Sequence, residues 1–261
     1  MICRICSSEK LKLFYEQGDK NQYKLYKCTN CGLVNLDLSN LKIDEHQGKY
    51  FAQFNSVANY EKNKGAKAAY QFFNKYVPVK GDYLDIGCGS GTVLYFAKKD
   101  GWNVKGLEIS SGFADFVREK LKVEVLVGDF MKFEKMDEQF DVVSLRHVLE
   151  HLPDSILAMN KISALLKIGG YGHFEFPNIN SITHRTSRLL SKLKLHKKKY
   201  PASFKPGHCN EFSKESFCYL LKLTNFELIR WETYSFKPFT NFIYNRIHFG
   251  TKARAIVRKM E

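Results

Sequence analysis

Between residues 83 and 176, short apolar runs alternate with longer segments in which apolar residues recur at helical spacing. Such alternation is typical of a mostly parallel sheet with helices on both faces. After an interruption the pattern resumes with a helix and two further runs. We therefore expect an α/β, Rossmann-like fold. The predicted strands are 83–86, 103–109, 123–127, 140–145, 170–176, 226–234 and 253–259, and the predicted helices are 92–99, 112–120, 155–166 and 212–223.

The main domain is predicted to span residues 81–261, and two smaller regions precede it. Residues 41–80 are polar and aromatic, and the helical spacing near their end predicts a helical lead-in. Residues 1–40 contain two strand-like runs that predict a hairpin. Within the main domain, residues 178–210 are too long for an ordinary connection, and we expect a basic insert or lid there.

Four of the seven cysteines occur as two pairs, Cys3-x2-Cys6 and Cys28-x2-Cys31. Each pair can offer two thiolates to one tetrahedral zinc ion. The sequence therefore predicts a small zinc ribbon in residues 1–40. Because four sulfur ligands leave no open position, we expect this zinc to stabilise the fold and to take no part in chemistry.

The first predicted strand of the main domain runs into a glycine-rich loop, Leu84-Asp85-Ile86-Gly87-Cys88-Gly89-Ser90-Gly91. Alternate glycines let the backbone turn sharply and approach a ligand closely. A dinucleotide fingerprint would need its third glycine where this chain has Thr92, and no Gly-Lys-Ser/Thr loop for phosphates is present. The loop therefore predicts a cofactor that is not held through a pyrophosphate.

This loop resembles motif I of the class I S-adenosylmethionine (SAM) methyltransferases, whose sheet has seven strands. The segment from Phe140 to Pro153 resembles the fourth-strand motif of the ubiquinone-biosynthesis-like O-methyltransferases. Together with the four-cysteine ribbon it is similar to methyltransferases of sugar and surface-polysaccharide pathways. The resemblance implies an enzyme with SAM as cofactor. It places the cofactor on Asp85, Gly87, Cys88, Gly89, Gly91, Glu108, Ile109, Asp129 and Phe130.

The resemblance also assigns roles to the acids at the strand ends. Glu108 would accept hydrogen bonds from the ribose hydroxyls, Asp129 would accept one from the adenine amino group, and Phe130 would lie beside the ring. Asp85 would hold the cofactor's ammonium, directly or through water.

Three histidines are candidates for the acceptor chemistry, because a hydroxyl acceptor must lose a proton during transfer. These are His147, His151 and His208, each of which could alternatively shape the site through backbone hydrogen bonds. Some relatives hold a divalent cation on Glu-x-x-Glu-His at this position. Since His147 replaces the first glutamate here, we do not expect a catalytic metal.

The formal charge of +14 suggests an acidic partner. Residues 181–205 contain no acid and eight basic side chains: Arg185, Arg188, Lys192, Lys194, Lys197, Lys198, Lys199 and Lys205. A basic segment of this kind could bind a phosphorylated acceptor or an anionic membrane, or it could simply be solvated. The chain has neither an apolar run long enough to span a bilayer nor the apolar segment of an export signal at Met1-Ile2-Cys3-Arg4. We therefore expect a cytoplasmic protein, with a peripheral position at the inner face of the membrane as an alternative.

These patterns favour methyl transfer to oxygen of a small-molecule, nucleotide-sugar or glycan acceptor in polysaccharide biosynthesis. An rRNA or tRNA base methyltransferase is the first alternative, because a zinc ribbon and a basic chain suit nucleic acid. No Asn-Pro-Pro-Tyr-type motif follows the fourth strand, so nucleic acid is the less favoured partner. A non-catalytic SAM-binding interaction protein is the second alternative.

Overall fold

The main sheet of the computed structural model has seven strands within the described residues, which are 1–39, 41, 60–78, 80–133, 138–193, 195, 206–235 and 249–261. Five strands are mutually parallel; the last strand of the chain pairs antiparallel with one of them, and the strand before it pairs antiparallel with that last strand. In chain order they are β4 (Asp82–Ile86), β5 (Asn103–Glu108), β6 (Glu124–Val127), β7 (Phe140–Arg146), β8 (Leu166–Pro177), β10 (Phe226–Tyr234) and β11 (Lys252–Lys259).

The strand order across this sheet is β10-β11-β8-β7-β4-β5-β6. The chain leaves β4 toward β5 and β6 and then crosses back to β7 on the other side of β4. In open α/β sheets, ligands bind beyond the carboxyl ends of the strands at such a switch point. The glycine loop follows β4 and therefore lies at this position.

Six α-helices connect and cover the strands in the described part of the chain: α1 (Lys64–Asn74), α2 (Thr92–Lys99), α3 (Ser111–Leu121), α4 (Ser155–Leu165), α5 (Ile182–Lys192) and α6 (Lys214–Leu223). Side chains of β4 alternate between the two faces of the sheet. Tyr83 packs in the cluster with α1 and α2, whereas Leu84 and Ile86 pack in the cluster with α4 and α6. Burial of both faces explains the continuous apolar character of these strands.

A second sheet contains the N-terminal hairpin and extends into the main domain. Its strands are β1 (Leu11–Gln17), β2 (Tyr23–Cys28), β3 (Val34–Leu36) and β9 (Asn210–Glu211), paired antiparallel in that order. The last strand comes from the end of the predicted insert, so a segment distant in sequence completes the ribbon sheet.

The predicted elements agree with the observed ones to within a few residues at most ends. The main exception is the start of β8, since the sequence predicted a strand beginning at Gly170 and the observed one begins at Leu166. The helical lead-in is present as α1, while residues 42–59 lie outside the described residues, as do 194 and 196–205 of the insert. Within the described residues, no helix has both the length and the apolar character that crossing a bilayer requires.

Helix α6 begins at a capping box formed by two serines, Ser213 and Ser216, with Ser216 where a glutamate is usual. In the structure the Ser216 amide donates to Ser213 Oγ at 3.2 Å, and the Ser213 amide donates to Ser216 Oγ at 3.0 Å. A serine hydroxyl is thus long enough here to close the box reciprocally.

Candidate cofactor and acceptor site

The loop after β4 is held against the end of β5 by its own backbone. The Gly87 amide donates to the carbonyl oxygen of Leu107 at 2.7 Å. Gly87, Gly89 and Gly91 all have positive φ, at 70°, 52° and 72°. At Gly87 an added Cβ would lie 2.5 Å from Val148 Cγ2, whereas at Gly89 it would meet no atom within 4 Å. Gly89 therefore faces open space, as a backbone that approaches a ligand must.

Glu108 ends β5 and connects the loop to the next helix. Its Oε2 accepts a hydrogen bond of 2.8 Å from the Gly89 amide, and its Oε1 accepts one of 3.0 Å from the Ser110 amide. The side chain is 6% exposed. Each carboxylate oxygen has a second lone pair, so Glu108 can still accept hydrogen bonds from a diol in front of the loop.

A cleft opens directly over these residues and encloses about 910 Å³, including its solvent-open side. Of the nine residues predicted to bind cofactor, six line the cleft: Gly87, Gly89, Glu108, Ile109, Asp129 and Phe130. Asp129 also caps the short helix Phe130–Lys132, with its Oδ1 accepting from the Met131 amide at 2.9 Å.

The other three predicted residues do not line the cleft. Cys88 is buried, and its Sγ lies against Gly106, while Gly91 begins α2 so close to α3 that a Cβ would lie 2.9 Å from Val117 and Leu121. Asp85 is 4% exposed beneath the loop. Burial raises the pKa of Asp85 to about 7, although the nearby Arg146 guanidinium acts in the opposite direction. Asp85 is not among the residues that line the cleft, so its contact with the cofactor's ammonium, directly or through water, is still a prediction.

His147 lies at the rim of the cleft in the left-handed region, with φ of 58°. Its Nε2 is 2.9 Å from Lys252 Nζ and its Nδ1 is 3.3 Å from Glu150 Oε1. Because an ammonium can only donate, Nε2 accepts and Nδ1 carries the proton that it donates to Glu150. Both ring nitrogens are thus engaged, which fits a residue that orients Glu150.

His151 and His208 form a pair beside His147, with ring centroids 5.0 Å apart. His151 lines the cleft, and its Nδ1 donates to the carbonyl oxygen of Gly207 at 2.7 Å, which leaves the ring lone pair on Nε2. Burial lowers the pKa of His151, only partly offset by Glu150. His151 is therefore neutral over a wider pH range than an exposed histidine.

Glu211, which the sequence did not single out, is the partner of His208. Its Oε1 accepts from His208 Nδ1 at 3.3 Å, and Glu211 is 7% exposed. Burial opposes protonation of His208, but the Glu211 carboxylate outweighs burial and raises the pKa of His208. The available signal was the spacing His208-x-x-Glu211 at the end of a basic segment.

Glu150, His151 and His208 also meet the spacing of a cation site. One ligand atom of each lies within 4.8 Å of the others, and Glu150 Oε2 is buried without a hydrogen-bond partner in the described part of the chain. The expectation that no catalytic metal is used is therefore still a prediction.

The four cysteines of the predicted ribbon come together at its base. Their Sγ atoms all lie within 4.8 Å of one another, with Cys3 and Cys31 3.4 Å apart and Cys6 and Cys28 3.5 Å apart. Ser7 and Gly32, which follow the two pairs, have positive φ and so turn the chain back around the sulfur atoms. Four converging thiols on two tight turns suit a tetrahedral zinc ion.

The ribbon contacts the histidine pair through β9. The Arg4 side chain donates from Nη1 to Cys209 O at 2.9 Å and to Asn210 Oδ1 at 3.2 Å, and the Leu36 amide donates to Cys209 O at 2.9 Å. Tyr15 on β1 donates to Glu211 Oε1 at 3.2 Å. Arg4 and Tyr15 were missed by sequence reasoning, because nothing in their local pattern indicates contacts with residues about two hundred positions away.

Curated relatives with sequence similarity are methyltransferases. The chain is 28% identical over 116 residues to the ubiquinone biosynthesis O-methyltransferase of Coxiella burnetii, covering 42% of this chain and 50% of the relative. It is 27% identical over 130 residues to the demethylmenaquinone methyltransferase of Bacillus licheniformis, covering 47% and 55%. The chain thus spans about half the length of the curated relatives it matches.

Solved structures share the fold over a larger part of the chain. A protein from Pyrococcus horikoshii superposes with a TM-score of 0.58 at 22% identity, covering 81% of this chain and 98% of that one. A SAM-dependent methyltransferase from Archaeoglobus fulgidus gives a TM-score of 0.55 at 20% identity, covering 74% and 92%. The family model described as a methyltransferase domain matches residues 58–230, which is more than half of the chain. With a seven-stranded sheet of the same fold and a glycine loop at its switch point, the chain belongs to the methyltransferase domain family.

Proposed function

We propose that the protein is a SAM-dependent methyltransferase that methylates a hydroxyl of a small-molecule, nucleotide-sugar or glycan acceptor. The observation that carries this proposal is the position of the His208–Glu211 pair beside His151 at the rim of the cleft. A hydroxyl acceptor needs little more than alignment with the methyl group and removal of its proton.

The cofactor would lie in the cleft over the glycine loop. Glu108 would accept from the ribose hydroxyls, Asp129 and Phe130 would contact the adenine, and Gly87 and Gly89 would let the backbone approach the amino-acid end, with Ile109 on the apolar wall. When bound, SAM supplies an electrophilic methyl group on a sulfonium. Cys88 and Gly91 support the loop from behind, and Asp85 would hold the ammonium, directly or through water.

The proton of the acceptor hydroxyl would pass to Nε2 of His208 or His151. Glu211 orients His208, holds the proton on Nδ1 and stabilises the imidazolium that forms, as the carboxylate of a catalytic triad does. His151 lies nearer the cofactor cleft and is kept neutral by burial. His147 would not contact the acceptor and would act indirectly, by orienting Glu150.

Methyl transfer to oxygen is supported by the relatives, since one of those reported above is named an O-methyltransferase. Their names concern quinone precursors. The assignment to sugar or surface-polysaccharide biosynthesis rests on the ribbon and on the basic segment after β8. A cytoplasmic location, with contact at the inner face of the membrane, is part of the same proposal.

The test is to incubate the purified protein with SAM labelled in its methyl group and with separate pools of nucleotide sugars, lipid-linked glycans, phenolic quinone precursors and RNA. Label in a sugar or glycan pool, on an ether oxygen, is expected. Label in RNA alone, with binding that falls steeply with salt, would support the base methyltransferase instead. Binding of SAM without transfer to any pool would support the non-catalytic interaction protein.

The cation alternative needs its own measurement. Protein stripped of metal by a chelator and then reloaded with zinc alone is expected to regain full transfer. A requirement for added Mg²⁺ or Mn²⁺, lost in Glu150→Gln, would assign a catalytic cation to Glu150, His151 and His208.

We propose further that Cys3, Cys6, Cys28 and Cys31 bind one structural zinc ion. The proposal is supported by four thiols on two tight turns with no position left for a substrate. Metal analysis of the purified chain is expected to give one zinc per protein.

A further inference from the structure

Strand β1 of the ribbon and helix α5 of the insert approach each other over the His208–Glu211 pair. The register of β1 with β2 shifts between Leu13 and Tyr15, so Phe14 occupies a β-bulge. A bulge re-aims neighbouring side chains. As a result, Phe14 and Tyr15 both pack against the same small apolar cluster, with ring centroids 5.9 Å apart.

Arg188 of α5 packs against Phe14 at this bulge. Its guanidinium lies 4.0 Å from the centroid of the Phe14 ring. Burial lowers the pKa of Arg188. The side chains of Tyr15 and Glu211 are close enough to act against that effect, and the charge of Arg185 adds to it. Phe14 thus fixes the guanidinium on the same side of the ribbon as the Tyr15–Glu211 hydrogen bond.

Two buried polar atoms at this junction have no hydrogen-bond partner among the residues that the structure describes, Nη1 of Arg188 and Oε2 of Glu211. Leaving a buried donor or acceptor atom unsatisfied is costly, and an unfilled ligand position is one explanation for such atoms. One atom can only donate and the other can only accept. A ligand that satisfies both must offer an anionic oxygen to Arg188 and a hydroxyl to Glu211.

We propose that Arg188, held by Phe14, binds an anionic group of the methyl acceptor, while Glu211 accepts a hydrogen bond from one of its hydroxyls. The acceptor class is therefore a hydroxylated anion, such as a sugar carrying a phosphate or a carboxylate. The site lies between the ribbon and the insert, and it places a hydroxyl of the ligand beside His208. This inference rests on the proposed function and narrows its substrate class.

The test measures binding and does not depend on transfer. The zinc-loaded chain is titrated calorimetrically, with saturating S-adenosylhomocysteine, against glucose 1-phosphate, glucuronate and glucose. Both anions are expected to bind more tightly than glucose, and the tighter of the two identifies phosphate or carboxylate as the natural group. Charge-assisted hydrogen bonds are worth enough that Arg188→Gln should weaken anion binding by about tenfold or more, with partial recovery in Arg188→Lys.

Arg185 is the matched control, because it lies on the same helix and also stacks on an aromatic ring, that of Phe249, at 4.3 Å. Arg185→Gln should change anion binding by less than about twofold, as is usual for an exposed charge. Equal binding of glucose and the two anions, no binding of either anion, or equal losses in Arg185→Gln and Arg188→Gln would overturn the proposal.

If anion binding fails these tests while a neutral acceptor is methylated, the proposed function stands without this site. If anions bind as expected but no hydroxyl is methylated, the proposed function fails and the binding site remains.

Discussion

Arg4, between the first two cysteines, donates a hydrogen bond of 2.9 Å from Nη1 to the carbonyl oxygen of Cys209, the residue after His208. A side chain in the turn between Cys3 and Cys6 thus holds the backbone next to a candidate base. The Arg4 amide in turn donates to Asn35 Oδ1 at 3.0 Å, so the turn is tied to β3 as well. The ribbon is therefore a support for the acceptor side of the site.

Arg4→Met is expected to lower the rate of methyl transfer by about tenfold or more while changing SAM affinity by less than about twofold. The charged hydrogen bonds that Arg4 would lose, each worth about 1.5–3 kcal/mol, hold the histidine loop and β3 and do not reach the cofactor cleft. Steady-state kinetics and calorimetric titration with S-adenosylhomocysteine would check both values. Arg4→Lys should recover part of the rate.

Lys12→Met is the control for Arg4, since Lys12 is exposed on the same small sheet. It should leave both the rate and the affinity unchanged. If Arg4→Met weakened SAM binding as strongly as it slowed transfer, the variant would have lost structure generally. Arg4 would then have no specific role in positioning His208.

Loss of zinc should disturb the histidine pair on the acceptor side of the site more than the cofactor cleft. Cys28→Ser removes one of four thiolates, so we expect the zinc content to fall below one per protein and the ribbon to lose its order. The cofactor cleft, built by β4 to β7, should still bind SAM, while methyl transfer falls to near background. Cys218→Ser on α6 is the control, because Cys218 lies outside the cysteine cluster. Full zinc content and activity in Cys28→Ser would exclude the metal assignment.

Most of the main sheet could be predicted because its signals are local. Apolar runs that end within two residues of Asp85, Glu108 and Asp129 mark strands and their carboxyl ends. The glycine loop identifies the switch point without any knowledge of the strand order. The two-residue strand β9 carries no such signal. Its pairing with β3 depends on contacts across the whole chain, and therefore the ribbon's connection to His208 and the role of Glu211 emerged only from the structure.

Glu108→Gln is expected to raise the dissociation constant for SAM by about ten- to a hundredfold, since charged hydrogen bonds to a diol and to the loop amides are each worth about 1.5–3 kcal/mol. Calorimetry with SAM and S-adenosylhomocysteine would measure the change. Glu124→Gln, an exposed substitution at the start of the neighbouring strand, should bind like the wild type. Unchanged affinity in Glu108→Gln would place the ribose elsewhere.

Alanine substitutions at Gly87 and Gly89 should affect protein stability and SAM binding differently. Gly87→Ala places a Cβ 2.5 Å from Val148 Cγ2 at positive φ, so a loss of stability is expected, measurable as a lower Tm. Gly89→Ala carries only the left-handed backbone cost of about 1–2 kcal/mol, but its methyl group enters the cleft. SAM affinity should therefore fall in Gly89→Ala by more than stability alone explains. Equal effects of the two variants on affinity and on Tm would contradict this reading of the loop.

The pH dependence of transfer should depend on Glu211. His208 must be neutral to accept a proton, and Glu211 raises its pKa, so the rate should rise with pH as His208 loses its proton at this raised pKa. Glu211→Gln removes the stabilising charge and lowers that pKa. The acidic limb of kcat/KM against pH should then move to lower pH, while the plateau falls because the imidazolium formed during transfer is less stable.

Glu215→Gln, an exposed change at the start of α6, should leave the limb in place. A limb that stays fixed in Glu211→Gln but moves in Glu150→Gln would assign the proton transfer to His151 instead.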